Sequence, residues 1–401
     1  MIIKMETTPH ILILPMYYPE KDSSPHRGYM FYEQARSLTS SGCKVGIAFT
    51  EQRPLKNITL KSFFRESHFQ ISAEKTDQII ICRMHAWNPK LSTHPGGLIW
   101  SLLTLLLVRR YIRRFGKPDL IHAHFGLWAG FAASVIKKIY GIDYVVTEHA
   151  SSINAGKISN KQATILRKAY RNAASVICVG SKLAENIRRY TTTDTPVSVI
   201  PNFVDTGIFQ TSGRNTHKEK NFRFVSIGNL VPRKGFSDLI AGFAEAFSQM
   251  PHVCLWIIGD GEEAPLLQEQ IAALKMEGRI SLLGVLPREE VAQRLAECDA
   301  FVLPSYAETF GIVFIEAMAT GMPAIGTVCG GPEDIITPEN GYLLTPGDQE
   351  ALVKHLKNIY LNYHLFDRKK ISLHIRENYD FRLAGHKLKE IYLKECIRKI
   401  R

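Results

Sequence analysis

Ala300-Phe-Val-Leu-Pro-Ser-Tyr-Ala-Glu-Thr-Phe-Gly-Ile-Val-Phe-Ile-Glu-Ala-Met-Ala-Thr-Gly-Met-Pro-Ala324 decides how the rest of the chain is read. Ala300 to Leu303 is a short apolar run followed by turn chemistry, while Gly311 to Thr320 has helical spacing and stops at Gly321, with Pro323 just beyond. The stretch therefore predicts strand, loop and helix. In an open parallel sheet such a loop lies at the carboxyl ends of the strands, where ligands bind, and the next helix opens with unpaired N–H groups that suit a phosphate. Glu308 and Glu316 stand with seven residues between them. Glu316 falls among apolar helix positions, where a carboxylate needs a partner, and a ribose diol donating two O–H bonds can supply one. The alternative is a plain loop residue at 308 and a helix-dipole glutamate at 316.

A length of 401 residues implies about two domains, and 45% apolar with 22% charged residues is the composition of a globular chain. Thr7 to His10 separate the start from the first apolar run, Ile11 to Leu14, which has strand length, so no secretory pattern is read and the expected location is the cytoplasm. Seven cysteines are scattered without C-x-x-C spacing, which predicts reduced, buried thiols and neither disulfides nor a zinc site. The net charge of +12 is unevenly held: residues 1–200 carry 27 Lys and Arg against 13 Asp and Glu, and residues 201–401 carry 23 against 25. The excess points to an anionic partner of the first half, or to a basic face kept for solubility.

Strand and helix patterns alternate through the first half. Strands are expected at Ile11 to Pro15, Lys44 to Phe49, Gln78 to Cys82, Leu120 to His122, Tyr144 to Thr147 and Ser175 to Val179, with helices at Tyr29 to Leu38 and Trp128 to Tyr140. Thr211 to Asn221 is polar and aperiodic and reads as a linker. Alternation restarts at Phe222 to Ile227 and continues through Val253 to Ile258, Arg279 to Leu282 and Ala300 to Leu303. Helices are expected at Asp348 to Tyr360, Arg368 to Glu377 and Phe381 to Ile400. Both halves are α/β and doubly wound. Gly259-Asp-Gly-Glu-Glu-Ala264 matches a dinucleotide fingerprint, but the next strand ends at Gly284 and no ribose-binding acid follows, so an oxidoreductase is set aside.

The segment Ser305 to Pro323 resembles the E-x7-E signature of the group 1 (family 4) retaining glycosyltransferases of the GT-B fold. Gly228-Asn-Leu-Val-Pro-Arg-Lys-Gly235, Ile258-Gly-Asp-Gly261, Gly284-Val-Leu-Pro287, Gly330-Gly331 and Asn340-Gly-Tyr-Leu-Leu-Thr-Pro-Gly347 recur in family order and cover roughly residues 222 to 365. The resemblance implies two Rossmann-like domains facing a central crevice: residues 1–206 with a returning helix 382–401 for the acceptor, and residues 207–381 for a nucleotide-sugar donor. It implies a retaining hexosyltransferase that moves sugar from a nucleoside diphosphate to an acceptor hydroxyl, in exopolysaccharide, capsule or lipopolysaccharide assembly. A nucleotide-sugar epimerase and a non-catalytic binding subunit are the alternatives within the fold.

Residue by residue, the resemblance assigns Arg233 and Lys234 to the leaving diphosphate, Glu308 to the sugar hydroxyls and His149 to the sugar or the acceptor hydroxyl, with His124 second. Donor contacts are expected from Gly28, Gly259, Gly261, the backbone near Leu286, and Thr309, Phe310, Gly311 and Ile312 around the phosphate, with Glu316 on the ribose. The family often has a glycine pair at the first site; this chain has Gly28 after Arg27. For His122 the reading is a hydrogen-bonded core group. No D-x-D occurs, so no metal or other cofactor is expected, and the paired cations take the role of one. Nucleic acid is not an expected partner.

Leu98 to Val108 is apolar yet shorter than the roughly 20 residues a membrane span needs. From Val108 onward, Val108, Tyr111, Ile112 and Phe115 fall on one side of a helical wheel, with Arg109, Arg110, Arg113, Arg114 and Lys117 on the other. Residues 98–117 thus read either as a basic amphipathic helix on an anionic membrane beside a lipid-linked acceptor, or as a core helix with a solvated basic end.

Overall fold

The computed structural model describes residues 8–18, 28–65, 68–91, 93–211 and 221–397. Ser24 to Arg27 and most of the expected linker, residues 212–220, lie outside the described residues. The chain forms two compact units, residues 1–179, 183–200 and 381–401, and residues 180–182 and 201–380.

In the first unit the strands are β1 (His10–Leu14), β2 (Lys44–Thr50), β3 (Arg53–Pro54), β4 (Ile71–Thr76), β5 (Ile79–Met84), β6 (Trp87–Asn88), β7 (Leu120–His124), β8 (Asp143–Glu148), β9 (Ser175–Cys178) and β10 (Val197–Val199). Eight make one sheet in the order β10-β9-β8-β7-β1-β2-β5-β4, parallel except for the β4–β5 edge. The central strands are buried along their whole length, as expected of a parallel sheet covered on both faces. β3 and β6 pair separately. The last helix, Phe381–Ile397, packs on Tyr29–Ser40 and puts Leu388 and Tyr392 into the core of this unit. Lys389 Nζ donates to Ser41 O at 2.5 Å, and Ser37 Oγ donates to Phe381 O.

The helix expected from Trp128 begins only at Phe131. Before it the backbone is kinked, with Phe125 at φ 72 and Trp128 at φ 64 and ψ −58. The kink is held because the Trp128 indole fills the space above Gly97, where a Cβ would lie 1.8 Å from Cε2. The histidine strand also runs longer than expected, so His122 lies inside β7 and His124 ends it.

The second unit holds β11 (Phe222–Ile227), β12 (Val253–Ile258), β13 (Ile280–Leu282), β14 (Ala300–Val302), β15 (Ala324–Thr327) and β16 (Gly341–Leu344), all parallel, in the order β13-β12-β11-β14-β15-β16. The boundary drawn at residue 206 falls inside this unit. Val204 pairs with Asp380 and its N–H donates to Tyr379 O at 2.9 Å, while Thr206 Oγ1 donates to Asp380. Residues 201–206 are thereby tied to the end of the helix Arg368–Tyr379.

Candidate active site

In the second unit every predicted donor residue sits at or just past the carboxyl end of a parallel strand or on the helix that follows, where an open α/β sheet binds ligands. Phe222–Ile227 hands the chain to a turn carrying Arg233 and Lys234, and Gly235 closes the turn at φ 70 to start the helix Phe236–Phe247. Tyr306 N–H donates to Arg233 O at 2.8 Å, which joins this turn to the loop after β14. Lys234 Nζ then lies 2.5 Å from Glu308 Oε1, and Ser305 Oγ donates to the same oxygen at 2.9 Å. The Lys234 side chain is 12% exposed and that of Glu308 8%. Arg233 is exposed, and its guanidinium has no partner among the described residues. The unit thus offers a free guanidinium beside a carboxylate-bound ammonium, an arrangement suited to a diphosphate.

The loop ends in Thr309, in Phe310, which is buried, and in Gly311 at φ 90; the helix Ile312–Ala319 follows with no side-chain cap, so its first N–H groups are open to a ligand. Gly331 packs against the backbone of Phe310, and the Gly330 and Gly331 N–H groups donate to Glu333 at 2.8 and 3.0 Å. Glu316 stands beyond the helix's first turn, which contains no acid, so it is not a dipole-capping glutamate. Burial pushes its carboxyl up, while Arg288, whose Nη2 lies 3.8 Å from Glu316 Oε1, lowers it in part. Arg288 was not legible as a site residue, since only the fold carries it from the start of its own helix to Glu316.

The glycine pair after β12 has a reason inside the chain. Gly259 has φ 137, and a Cβ there would meet Gly228 O at 1.9 Å. A Cβ on Gly261 would meet Leu230 O at 2.3 Å. The clearance expected for a nucleotide is taken up by the backbone of residues 228–230, which the glycines let approach. Gly259 N–H also donates to Gly284 O at 2.8 Å, placing the segment that leads to Leu286 beside this turn. Gly28, predicted at a donor phosphate, opens the helix Tyr29–Ser40 at φ 86, and a Cβ there would come within 2.9 Å of Tyr17 O. It belongs to the first unit.

The histidines also belong to the first unit. His122 is fully buried, with Nε2 2.6 Å from Thr147 Oγ1 and Nδ1 2.6 Å from Tyr392 OH. Burial and then His149 lower it to about 3, so it is a neutral core group, and Tyr392, 270 residues away, is the partner that sequence spacing could not reveal. His124 Nδ1 lies 2.9 Å from His149 Nε2, with the rings stacked at 5.2 Å between centroids. Burial keeps both well below the ordinary histidine value, His149 at about 3.

Two neutral imidazoles carry two N–H protons on four nitrogens, and their shared bond consumes one N–H and one lone pair. Of the remaining atoms, His124 Nε2 and His149 Nδ1, one is a donor and the other an acceptor. Both are buried without a hydrogen-bond partner among the described residues, as polar atoms awaiting a ligand hydroxyl would be. Glu148 fixes the turn that carries His149: Oε1 accepts the N–H groups of His149 and Ala150 at 2.8 Å, and Oε2 accepts Gly126 N–H and the Tyr170 hydroxyl.

Two family models match the chain in succession. Residues 28–207 match "Glycosyltransferase Family 4" and residues 209–377 match "Glycosyl transferases group 1". A teichuronic acid biosynthesis glycosyltransferase of Bacillus subtilis, TuaC, is 28% identical over 361 residues, covering 86% of this chain and 87% of its own. Sucrose-phosphate synthase from Thermosynechococcus elongatus superimposes with a TM-score of 0.79 at 18% identity, covering 96% of this chain and 98% of its own. HepE of Anabaena, solved with UDP and glucose, gives 0.71 at 19% identity, covering 95% and 98%. The structural likeness establishes the GT-B fold.

Proposed function

The chain belongs to the group 1 (family 4) glycosyltransferases, and from that premise we propose a retaining hexosyl transfer from a nucleoside diphosphate sugar to the hydroxyl of a saccharide or lipid-linked acceptor. It is a glycosyltransferase; the donor, acceptor and stereochemistry are what the proposal adds. The observation that carries it is the Lys234–Glu308 pair beside Arg233 and the uncapped helix at Ile312. A front-face displacement asks the protein mainly for positioning and for stabilisation of charge on the departing diphosphate. Arg233, Lys234 and the N–H groups of Phe310 to Ile312 meet that demand, so the reaction is proposed to run without a metal. Glu308 receives sugar hydroxyls, and Glu316 the ribose.

The pathway in this reading is exopolysaccharide, capsule or lipopolysaccharide assembly, which the names of the B. subtilis protein and of a lipopolysaccharide core glycosyltransferase of Rhizobium meliloti support. Work beside a membrane, through residues 98–117, belongs to the same reading. Among the described residues no helix is long and apolar enough to cross one.

A thermal-shift series over nucleoside diphosphates tests the donor site, since a ligand bound only by the folded state raises apparent stability. The wild type should respond to one or two of them. Glu316→Gln should lose about 10- to 100-fold in affinity, the cost of one charged hydrogen-bond acceptor. Equal shifts in both proteins would remove Glu316 from the ribose. His149→Ala should slow transfer about tenfold while leaving diphosphate affinity unchanged, because it deletes one hydroxyl contact and no phosphate contact. A folded His149→Ala protein with full activity would transfer the role to His124.

A further inference from the structure

Two helices of the second unit bring together Arg288, the first residue of Arg288–Ala296, and Glu316, inside Ile312–Ala319. Both are largely shielded from water, the Arg288 side chain being 12% exposed and that of Glu316 15%. The guanidinium also lies over the buried Phe209 ring, with Cζ 5.2 Å from the ring centroid. Arg288 is thus held by an aromatic face as well as by a carboxylate.

The spacing of the pair decides what it can do. At 3.8 Å, Arg288 Nη2 is close enough to Glu316 Oε1 to act on its charge and too far to hydrogen-bond it. The Glu316 carboxylate accepts no hydrogen bond among the described residues, although a buried carboxylate needs partners. Its acceptor sites are therefore open to a ligand that donates O–H bonds. Arg288 is the one charged group among the described residues that acts on it. The strands β14 and β15, on which the Glu316 helix packs, carry no charged residue. The helix Arg368–Tyr379 packs there too, but Arg368 is taken by the Tyr363 hydroxyl at 2.7 Å and by Thr320 O at 3.2 Å, and the other charged side chains of that helix are exposed. On the helix of Arg288, Glu289 is exposed and Glu290 pairs with Arg294 at 3.5 Å.

We propose that Arg288 is a positioning residue for ribose recognition: anchored on Phe209, it balances the charge of the Glu316 carboxylate without occupying its lone pairs, so that both ribose hydroxyls can donate to it. The inference rests on the assignment of Glu316 to the ribose and adds what makes a buried carboxylate fit for that work. Burial alone pushes Glu316 toward the neutral acid, which keeps a proton of its own and accepts a diol less well; Arg288 opposes this.

The test is calorimetric titration of the full chain with UDP, GDP and ADP at about pH 6.5 and about pH 8.5. The proteins are the wild type, Arg288→Met, Arg288→Lys, Glu316→Gln, and Arg288→Met combined with Glu316→Gln. Methionine keeps an unbranched apolar chain against Phe209 and removes the cation. Taking the ratio of variant to wild type at each pH cancels titration of the ligand phosphate. Arg288→Met should weaken the nucleotide that binds by about tenfold at the lower pH, where Glu316 without its cation is protonated, and much less at the higher pH, where it ionises again. Arg288→Lys keeps a charge and should lie closer to the wild type. In the Glu316→Gln background, Arg288→Met should change affinity by no more than about twofold, since no carboxylate remains to be balanced. A loss equal at both pH values, or as large in the Glu316→Gln background, would make the pair a structural one and overturn the inference. A wild type that binds none of the three nucleotides at either pH would instead withdraw the donor reading, and this inference with it.

Discussion

Lys234→Ala is expected to lower kcat by about 100- to 1,000-fold, about 2.7 to 4 kcal/mol, as the loss of one preorganised donor facing developing charge does. Lys234 is held for that work: its ammonium is 2.5 Å from Glu308 Oε1 and mostly shielded from water, which strengthens its field at a phosphate. Arg233→Ala should cost a similar factor, since the exposed guanidinium has no competing partner among the described residues. Truncating Lys234 also takes the cation from the buried Glu308 carboxylate while leaving it the Ser305 hydroxyl, so part of an activity loss would be a loss of fold. Glu308→Gln added to Lys234→Ala separates the two effects. The double variant should regain thermal stability and stay inactive. Unchanged kcat in both single variants would withdraw the cations from the reaction.

The second large effect is on stability against pH. His122 and His149 are held at about 3 by burial, His10 at about 4, and His124 well below its ordinary value. In the unfolded chain each takes up a proton near pH 6.5. Stability is therefore complete above that value and is lost as the pH falls through it toward the folded values. At pH 5 His10, His122 and His149 each cost about 2 kcal/mol relative to neutral pH, from about 1.4 kcal/mol per pH unit, and His124 acts in the same direction. Glu316, raised by burial, has the opposite sign but lies in the second unit. Urea unfolding followed by tryptophan fluorescence suits the question, because Trp87, Trp100 and Trp128 all report on the first unit. Its midpoint should drop from pH 7.5 to pH 5, and His122→Asn should flatten the slope. A midpoint independent of pH would refute the neutral-histidine account.

Much of the second unit was legible because its strands are short, mostly apolar runs that end at glycine or proline turns, as at Gly228, Gly259 and Pro304. Phe222–Ile227 and Val253–Ile258 match the apolar runs residue for residue, and the helix after Glu308 starts one residue past Gly311. β4 was not legible: Ile71–Thr76 is almost wholly exposed, and only its pairing with β5 makes it a strand. The positive φ angles of Phe125 and Trp128 had no local signal either, since Gly97 and Glu148 impose them from elsewhere in the sequence. At the site, residue identities were readable and partners were not. Arg288 beside Glu316, Tyr392 on His122 and the shared proton of His124 and His149 all depend on contacts between distant segments. At 98–117 the wheel separated the apolar from the basic side, and of the two readings it left open the burial of Val108 and Tyr111 with Arg109, Arg110, Arg113 and Arg114 exposed matches the core helix with a solvated basic end.

The most direct measurement is mass spectrometry of nucleoside diphosphate sugars incubated with the full chain, with and without saccharide and lipid-linked acceptors. The account predicts that nucleoside diphosphate and a product heavier by one hexosyl group appear together, in equal amounts, and only when a competent acceptor is present. Donor converted to an isomer with no acceptor, or donor left intact by a chain that binds its nucleoside diphosphate, would contradict it.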